Sequence, residues 1–186
     1  MVQLALFDDP ELPEGFRYQP DLITPAQEAA LVRRFAELPL KPFEFQGFLG
    51  KRRVTSFGWR YDFNEQAMQR AAPLPDWLAE VRDLAATFAG LDPDKLAHAM
   101  VTEYEPGAPI GWHRDRPQFE DVIGISLGSP CTFRFRRKKG SGWERASIVA
   151  EARSAYLLRG PARTEWQHSI PPVQALRYSI TFRTLR

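Results

Sequence analysis

From residue 97 onward the chain breaks into short apolar runs separated by glycine and proline, and this pattern most restricts the folds open to it. The runs cover residues 97–104, 122–127, 131–136, 147–150, 155–159 and 177–183. Their length and β-branched or aromatic content mark them as strands. A series of short strands with turn residues between them points to a sandwich or jelly roll. Upstream the period changes. Thr24 and Pro25 have the chemistry of an N-cap and first helical position, and Ala29, Leu31, Val32, Phe35 and Leu38 recur at helical spacing until Pro39. A second helix is predicted over 75–88, where Trp77, Leu78, Val81, Leu84, Ala85 and Phe88 form one face and Gly90 follows the end. The expected fold class is therefore mainly β (α+β), a jelly-roll core backed by N-terminal helices.

A length of 186 residues suits one domain with its own core. We expect residues 1–20, with Pro10, Pro13 and Pro20, to be an extended arm and residues 21–186 to be that domain. No apolar run approaches the roughly 18 residues of a membrane span. The first ten residues lack the basic start of a signal peptide. The single cysteine, Cys131, can form no internal disulfide. These features predict a cytoplasmic protein without a membrane partner, expected to be a monomer.

The formal net charge of +2 hides an asymmetry. Up to residue 130 the chain has 13 basic and 20 acidic side chains, and after it 12 and 3. A basic half attracts polyanions, so nucleic acid is a plausible partner, although a solvated basic face with no partner remains open. Lys138, Lys139, Gly140, Ser141 and Gly142 read as a basic hairpin tip.

Only three histidines occur, His98, His113 and His168. In Gly111-Trp112-His113-Arg114-Asp115, residues two apart on an extended segment face the same way, so His113 and Asp115 can share one metal ion. The His-X-Asp pattern is weak alone. His168, 55 residues downstream, would complete two histidines and a carboxylate, a facial triad that leaves positions open on iron(II) for a cosubstrate and oxygen. His98 lies in a strand-like run and is expected to pack or bond to backbone. Trp112 and Trp166 flank the two ligand histidines and are expected to pack or to orient the rings.

Residues 177–183 alternate strictly, with Arg177, Ser179, Thr181 and Arg183 on one face and Tyr178, Ile180 and Phe182 on the other. Two guanidinium groups beside two hydroxyls invite a dianion such as 2-oxoglutarate, because arginine binds carboxylates bidentately and keeps its charge. An edge strand with a solvated basic face is the alternative.

Taken in order, His113-X-Asp115, His168 and Arg177-X-Ser-X-Thr-X-Arg183 resemble the signature of AlkB-type dioxygenases. The resemblance extends to Tyr104-Glu105-Pro106-Gly107 and to Gly58-X-X-Tyr61, covering roughly residues 45 to 186. It implies a double-stranded β-helix (cupin-like) core over about 97–186 and a substrate lid over about 45–65. It also implies a requirement for Fe(II), O2 and 2-oxoglutarate, and oxidative removal of an alkyl group from a base in DNA or RNA, with release of succinate, CO2 and an aldehyde. His113, Asp115 and His168 would hold the metal. Arg177 and Tyr104 would bind the distal carboxylate of 2-oxoglutarate with help from Thr102, Ser179 and Thr181, and Arg183 would lie near Asp115 and the proximal carboxylate. Members of the family often have Asn where Thr102 and Ser179 stand, so those contacts differ in detail.

A base must leave its stack to reach such a pocket, so the partner would be single-stranded or base-flipped nucleic acid. Phe57, Trp59 and Tyr61 are candidates for stacking on it. Lys51, Arg52, Arg53, Arg136, Arg137, Lys138 and Lys139 are candidates for phosphate contact. An oxygenase acting on a protein side chain or small molecule, and a silent nucleic-acid-binding module, are the rival functions.

Overall fold

The computed structural model describes residues 11–45, 48–62 and 64–186. Two helices form where periodicity predicts them. Helix α1 (Pro25–Phe35) opens on a capping box: Thr24 Oγ1 accepts from the Gln27 amide at 3.2 Å, and the Gln27 side chain accepts from the Thr24 amide at 2.8 Å. Helix α2 (Asp76–Ala89) ends at Gly90, whose φ of 66° supplies the left-handed cap.

The strands are β1 (Phe16–Gln19), β2 (Lys41–Phe45), β3 (Phe48–Asp62), β4 (Ala67–Arg70), β5 (His98–Tyr104), β6 (Ile110–His113), β7 (Phe119–Gly128), β8 (Cys131–Lys139), β9 (Gly142–Ala150), β10 (Ala155–Leu158), β11 (Gln167–Ile170) and β12 (Arg177–Leu185). A one-turn helix, α3 (Pro161–Thr164), links β10 to β11. The strands build two sheets. The larger runs β1-β10-β7-β12-β5-β3-β2, with β4 joined to β3, and the smaller runs β6-β11-β8-β9. This is the double-stranded β-helix expected.

Strand alternation divides the apolar residues into two cores. The odd residues of β5 and β7 and the even ones of β12, among them Val101, Ile123, Ile125, Ile180 and Phe182, face the helices and pack on Leu31, Phe35, Leu78 and Val81. The opposite face of the large sheet contributes Val122, Tyr156 and Leu158 to a second core, where Phe133, Phe135, Ala146 and Ile170 of the small sheet meet them. The candidate site residues Tyr104 and His168 border this inter-sheet space.

One alternative is removed and two expectations need correction. Strand β12 is not an edge strand: it pairs with β5 on one side and β7 on the other, so both its faces are covered. The segment read as an arm, 1–20, contains β1, which pairs with β10, while residues 1–10 lie outside the described residues. The segment read as a lid, 45–65, includes residues 53–58 of β3, which pair with β5 inside the large sheet. Residues 46, 47 and 63 of that segment lie outside the described residues. Among the described residues, no helix is long and apolar enough to cross a membrane.

Candidate metal and cosubstrate site

The two histidines of the candidate metal triad are brought together by strand register. His113 ends β6 and sits directly across from His168 on β11, so both imidazoles project into the inter-sheet space with ring centroids 4.3 Å apart. Asp115, two residues past β6, brings Oδ1 to 3.7 Å from His113 Nε2 and 3.6 Å from His168 Nε2. One ligand atom from each of the three lies within 4.8 Å of the others, which is the spacing of donors around a single ion.

Neighbouring groups fix each donor's orientation. His113 Nδ1 lies 2.9 Å from the Gly111 carbonyl and donates to it, leaving the Nε2 lone pair facing the centre. The His168 ring stacks on Phe133 at 5.3 Å. Arg183 Nε donates to Asp115 Oδ2 at 2.5 Å, so Oδ1 is the oxygen left for a cation. Burial would raise the Asp115 pKa, but Arg183 and the two imidazoles override it and hold the carboxyl far below its usual range. Burial, then His113, pushes His168 down to about 3, and burial lowers His113 as well. All three groups are thus in the deprotonated form that a metal requires.

Beside the triad, β12, β5 and β7 present one polar face. Register places Arg177 opposite Tyr104, Ser179 opposite Thr102 and Ser126, and Thr181 opposite Gly124. Arg177 is fully buried, and its Nε and Nη2 donate to Ser126 Oγ at 3.2 and 3.0 Å. Its guanidinium lies over the Tyr104 ring at 4.7 Å, and the Tyr104 hydroxyl is 3.4 Å from Ser179 Oγ. Arg177 Nη1 and Thr102 Oγ1 are buried without any hydrogen-bond partner. An unpaired buried guanidinium is costly, and a carboxylate is the guest that removes the cost. Gly124 keeps this pocket in shape, because a Cβ there would run into the ring of Tyr156. The residues present therefore fit a dicarboxylate that reaches from Arg177 toward the triad.

The model of the 2OG-Fe(II) oxygenase superfamily matches residues 15–183. The chain belongs to this superfamily. It is 29% identical, over 91% of its length, to the Arabidopsis thaliana protein named alkylated DNA repair protein ALKBH8 homolog. It is 28% identical, over 53% of its length, to the alpha-ketoglutarate-dependent dioxygenase AlkB of Escherichia coli. It spans 54% and 50% of those two relatives, about half of each. The solved structure of OsALKBH1 superposes with a TM-score of 0.71 at 14% identity, over 94% of this chain and 98% of that one, which is a likeness of fold. The chain is an AlkB-like member of the superfamily, which uses Fe(II), 2-oxoglutarate and O2, a requirement that the cluster of His113, Asp115 and His168 fits.

The candidates for substrate contact separate in this oxygenase. Arg53 is turned to the helix side, so strand alternation turns its neighbour Arg52 toward the site, and the Arg52 guanidinium stacks on Phe43 at 3.9 Å. Tyr61 lies under Arg116, the residue after Asp115, with 4.9 Å from guanidinium to ring centroid. Trp59 is stacked under Arg70 at 4.5 Å. Phe57 is turned away: it is buried in the helix-side core against Trp77. Arg53 is tied to Glu103 at 2.6 Å on the helix side, and Lys51 is exposed. The switch between Phe57 and Tyr61 occurs at Gly58, which has a φ of 74°, and a Cβ there would meet the Ala97 carbonyl. Arg137 is neutralised by Glu144 at 2.9 Å and Glu165 at 2.7 Å.

Three residues support the site, of which Ser126 and Arg163 were not singled out from sequence and His98 was read without its link to Arg183. Ser126 is the partner of Arg177. His98 packs on Phe119, as expected, and in addition accepts from Arg183 Nη1 at 3.3 Å through Nδ1. Arg163 donates to the carbonyls of Arg116 and Phe119, clamping the loop that follows Asp115. Each depends on pairing between distant segments, and the local sequence holds no signal for it.

Proposed function

We propose that this oxygenase removes alkyl groups from N-alkylated bases in DNA or RNA, a role in repair of alkylation damage, acting as a cytoplasmic monomer on single-stranded or base-flipped substrate. His113, Asp115 and His168 would hold the iron. Arg177, with Thr102, Tyr104, Ser179 and Thr181, would hold the far carboxylate of 2-oxoglutarate. Bound iron with O2 supplies the oxidation: 2-oxoglutarate leaves as succinate and CO2, one oxygen atom enters the alkyl carbon, and the resulting hydroxyalkyl group departs from nitrogen as an aldehyde. The protein's share is orientation and exclusion of water. Arg183 keeps Asp115 ionised and turned, while the packed aromatic wall of Phe133, Phe135 and Tyr156 keeps the inter-sheet space dry. Arg52 and Tyr61 border the entrance and would meet the substrate, a cation for phosphate and a ring for a base.

The observation that carries the cosubstrate assignment is Arg177, buried on the same strand face as Arg183 and without a carboxylate partner among the described residues. Support for nucleic acid comes from the basic excess after residue 130 and from the relative named for repair of alkylated DNA. The single cysteine supports the cytoplasmic part. The test is succinate release from Fe(II)-loaded protein with N-methylated oligonucleotides, with His113→Ala as control. Formaldehyde in equal amount to succinate is the expected result. Succinate release only with a peptide or a small metabolite would keep the oxygenase and remove nucleic acid.

A further inference from the structure

The small sheet, whose strands β6 and β11 carry His113 and His168 inward, carries something quite different outward. On β8, Cys131, Phe133 and Phe135 fill the inter-sheet core, so Arg134, Arg136 and Lys138 point to solvent. Arg134 lies over Trp112 at 5.1 Å, and Arg136 lies over both Trp112 at 4.5 Å and Trp143 at 4.2 Å. Lys138 Nζ completes the row over Trp143 at 4.4 Å. The result is an alternation of cation and ring across β6, β8 and β9.

The charge on this face is uncompensated. Arg136 sits directly opposite Arg145 on β9, and like charges in opposed positions destabilise a sheet. The side-chain hydrogen bonds of Arg134 and Arg136 go to neutral groups, Ser169 Oγ at 3.0 Å and Gln167 Oε1 at 2.7 Å. The nearby carboxylates, Glu144 and Glu165, are taken by Arg137. No ion pair of Arg134, Arg136, Lys138 or Arg145 with an acid is found among the described residues. A solvent-facing sheet that gains nothing from its own charges is matched to an external anion.

We propose that this outer face of the small sheet binds a single-stranded stretch of nucleic acid. It deepens the proposed function by saying how the strand is held while one base is presented to the metal. Cations two residues apart on β8 recur about every 7 Å, comparable with the phosphate repeat of an extended single strand. Tryptophan rings and guanidinium planes are both platforms for bases, so the alternation serves stacking without demanding a sequence. The position suits the reaction. Trp112 adjoins His113 on β6, the outer strand of this sheet, so a strand lying on the face need only turn around that edge to bring a base to the inner side.

The experiment measures binding of a fluorescein-labelled, unalkylated 15-mer of oligothymidine by anisotropy at several salt concentrations. Lys138→Glu/Arg145→Glu and Trp143→Ala are compared with Arg33→Glu/Arg34→Glu, an equal charge reversal on α1. The double reversal on the sheet is expected to weaken binding at least tenfold and to flatten the plot of log affinity against log salt by about 1.4, or about 0.7 for each lost phosphate contact. Trp143→Ala is expected to weaken binding about tenfold with the salt slope unchanged. Unchanged binding in the sheet variants, or an equal loss in the α1 variant, overturns the proposal. So does an acidic peptide of matching charge that binds as tightly as the oligonucleotide. Oligothymidine binding that follows these variants, with no turnover of any methylated oligonucleotide, keeps the face and removes the dealkylation. Turnover with an unchanged KM in the double variant does the reverse.

Discussion

Strand β12 has an arginine at each end of one face, and the two have opposite surroundings. Arg183 reaches an internal anion: its Nε bonds Asp115 at 2.5 Å, and its Nη1 has a buried histidine as acceptor. Arg177, six residues earlier on the same face and more deeply buried, has a serine hydroxyl and a tyrosine ring but no anion among the described residues. A guanidinium cannot shed its charge to relieve burial. The first end is therefore finished by folding, and the second is finished only by a guest. The comparison separates a residue braced against a candidate metal ligand from one that, under the proposed function, would recognise a cosubstrate, though sequence alternation presents them as equals.

The sharpest way to break this contrast is to make the first end resemble the second. Asp115→Ala removes a ligand and strands Arg183 without its anion. We expect loss of Fe(II)-dependent turnover together with a fall in stability of about 3–5 kcal/mol, as for other broken buried pairs, read by urea unfolding of the metal-free protein. A stable Asp115→Ala protein would mean that the Arg183 end tolerates an absent anion as the Arg177 end does.

At the other end, Arg177→Leu is expected to raise the KM for 2-oxoglutarate about 10- to 100-fold, the worth of one charge-assisted contact. The thermal midpoint of the cosubstrate-free protein should not fall, because no internal ion pair is lost. Added 2-oxoglutarate should stabilise the wild type and not the variant. A clear drop in the unliganded midpoint would show that Arg177 is structural.

A third effect is linked to pH. Burial, followed by the Arg183 charge, holds His98 neutral well below its ordinary value, and burial does the same for His168. Unfolded histidines take up protons below about pH 6.5, whereas these folded ones do not. Stability of the metal-free protein is therefore full above that pH and declines as pH falls below it. His98→Gln should make the decline between pH 6.5 and 5 shallower by up to about 1.4 kcal/mol per pH unit. The smallest effect belongs to Arg53→Gln. Its ion pair with Glu103 is half exposed and lies on the helix side, so a change within about 1 kcal/mol and an unaltered KM for 2-oxoglutarate are expected.

Much of this was legible in the sequence because period-two alternation needs no tertiary information. The polar face of residues 177–183, both helices and the hairpin through Gly140 and Ser141 follow from local pattern alone. His113 and Asp115 were readable as a pair because two residues on an extended segment share a side. The rest depended on register. Ser126 matters because β7 happens to lie level with Ser179, and His98 because it lies across from Arg183. Nothing near either residue in sequence records that. The grouping of Phe57, Trp59 and Tyr61 fails for a local reason: the left-handed backbone at Gly58 interrupts the strand between a core residue and one at the entrance.

The place of β12 also bears on how the molecule is made. It follows every other strand in chain order yet lies between β7 and β5, so during synthesis the two neighbours emerge with the gap between them still open. Until β12 inserts, each exposes a row of unpaired backbone groups and an apolar face, the state most prone to pairing with another chain. The same insertion delivers Arg177 and Arg183. Competence to bind cosubstrate should therefore appear in a single late step, and a ribosome-stalled chain ending before residue 177 should be aggregation-prone and unable to retain 2-oxoglutarate.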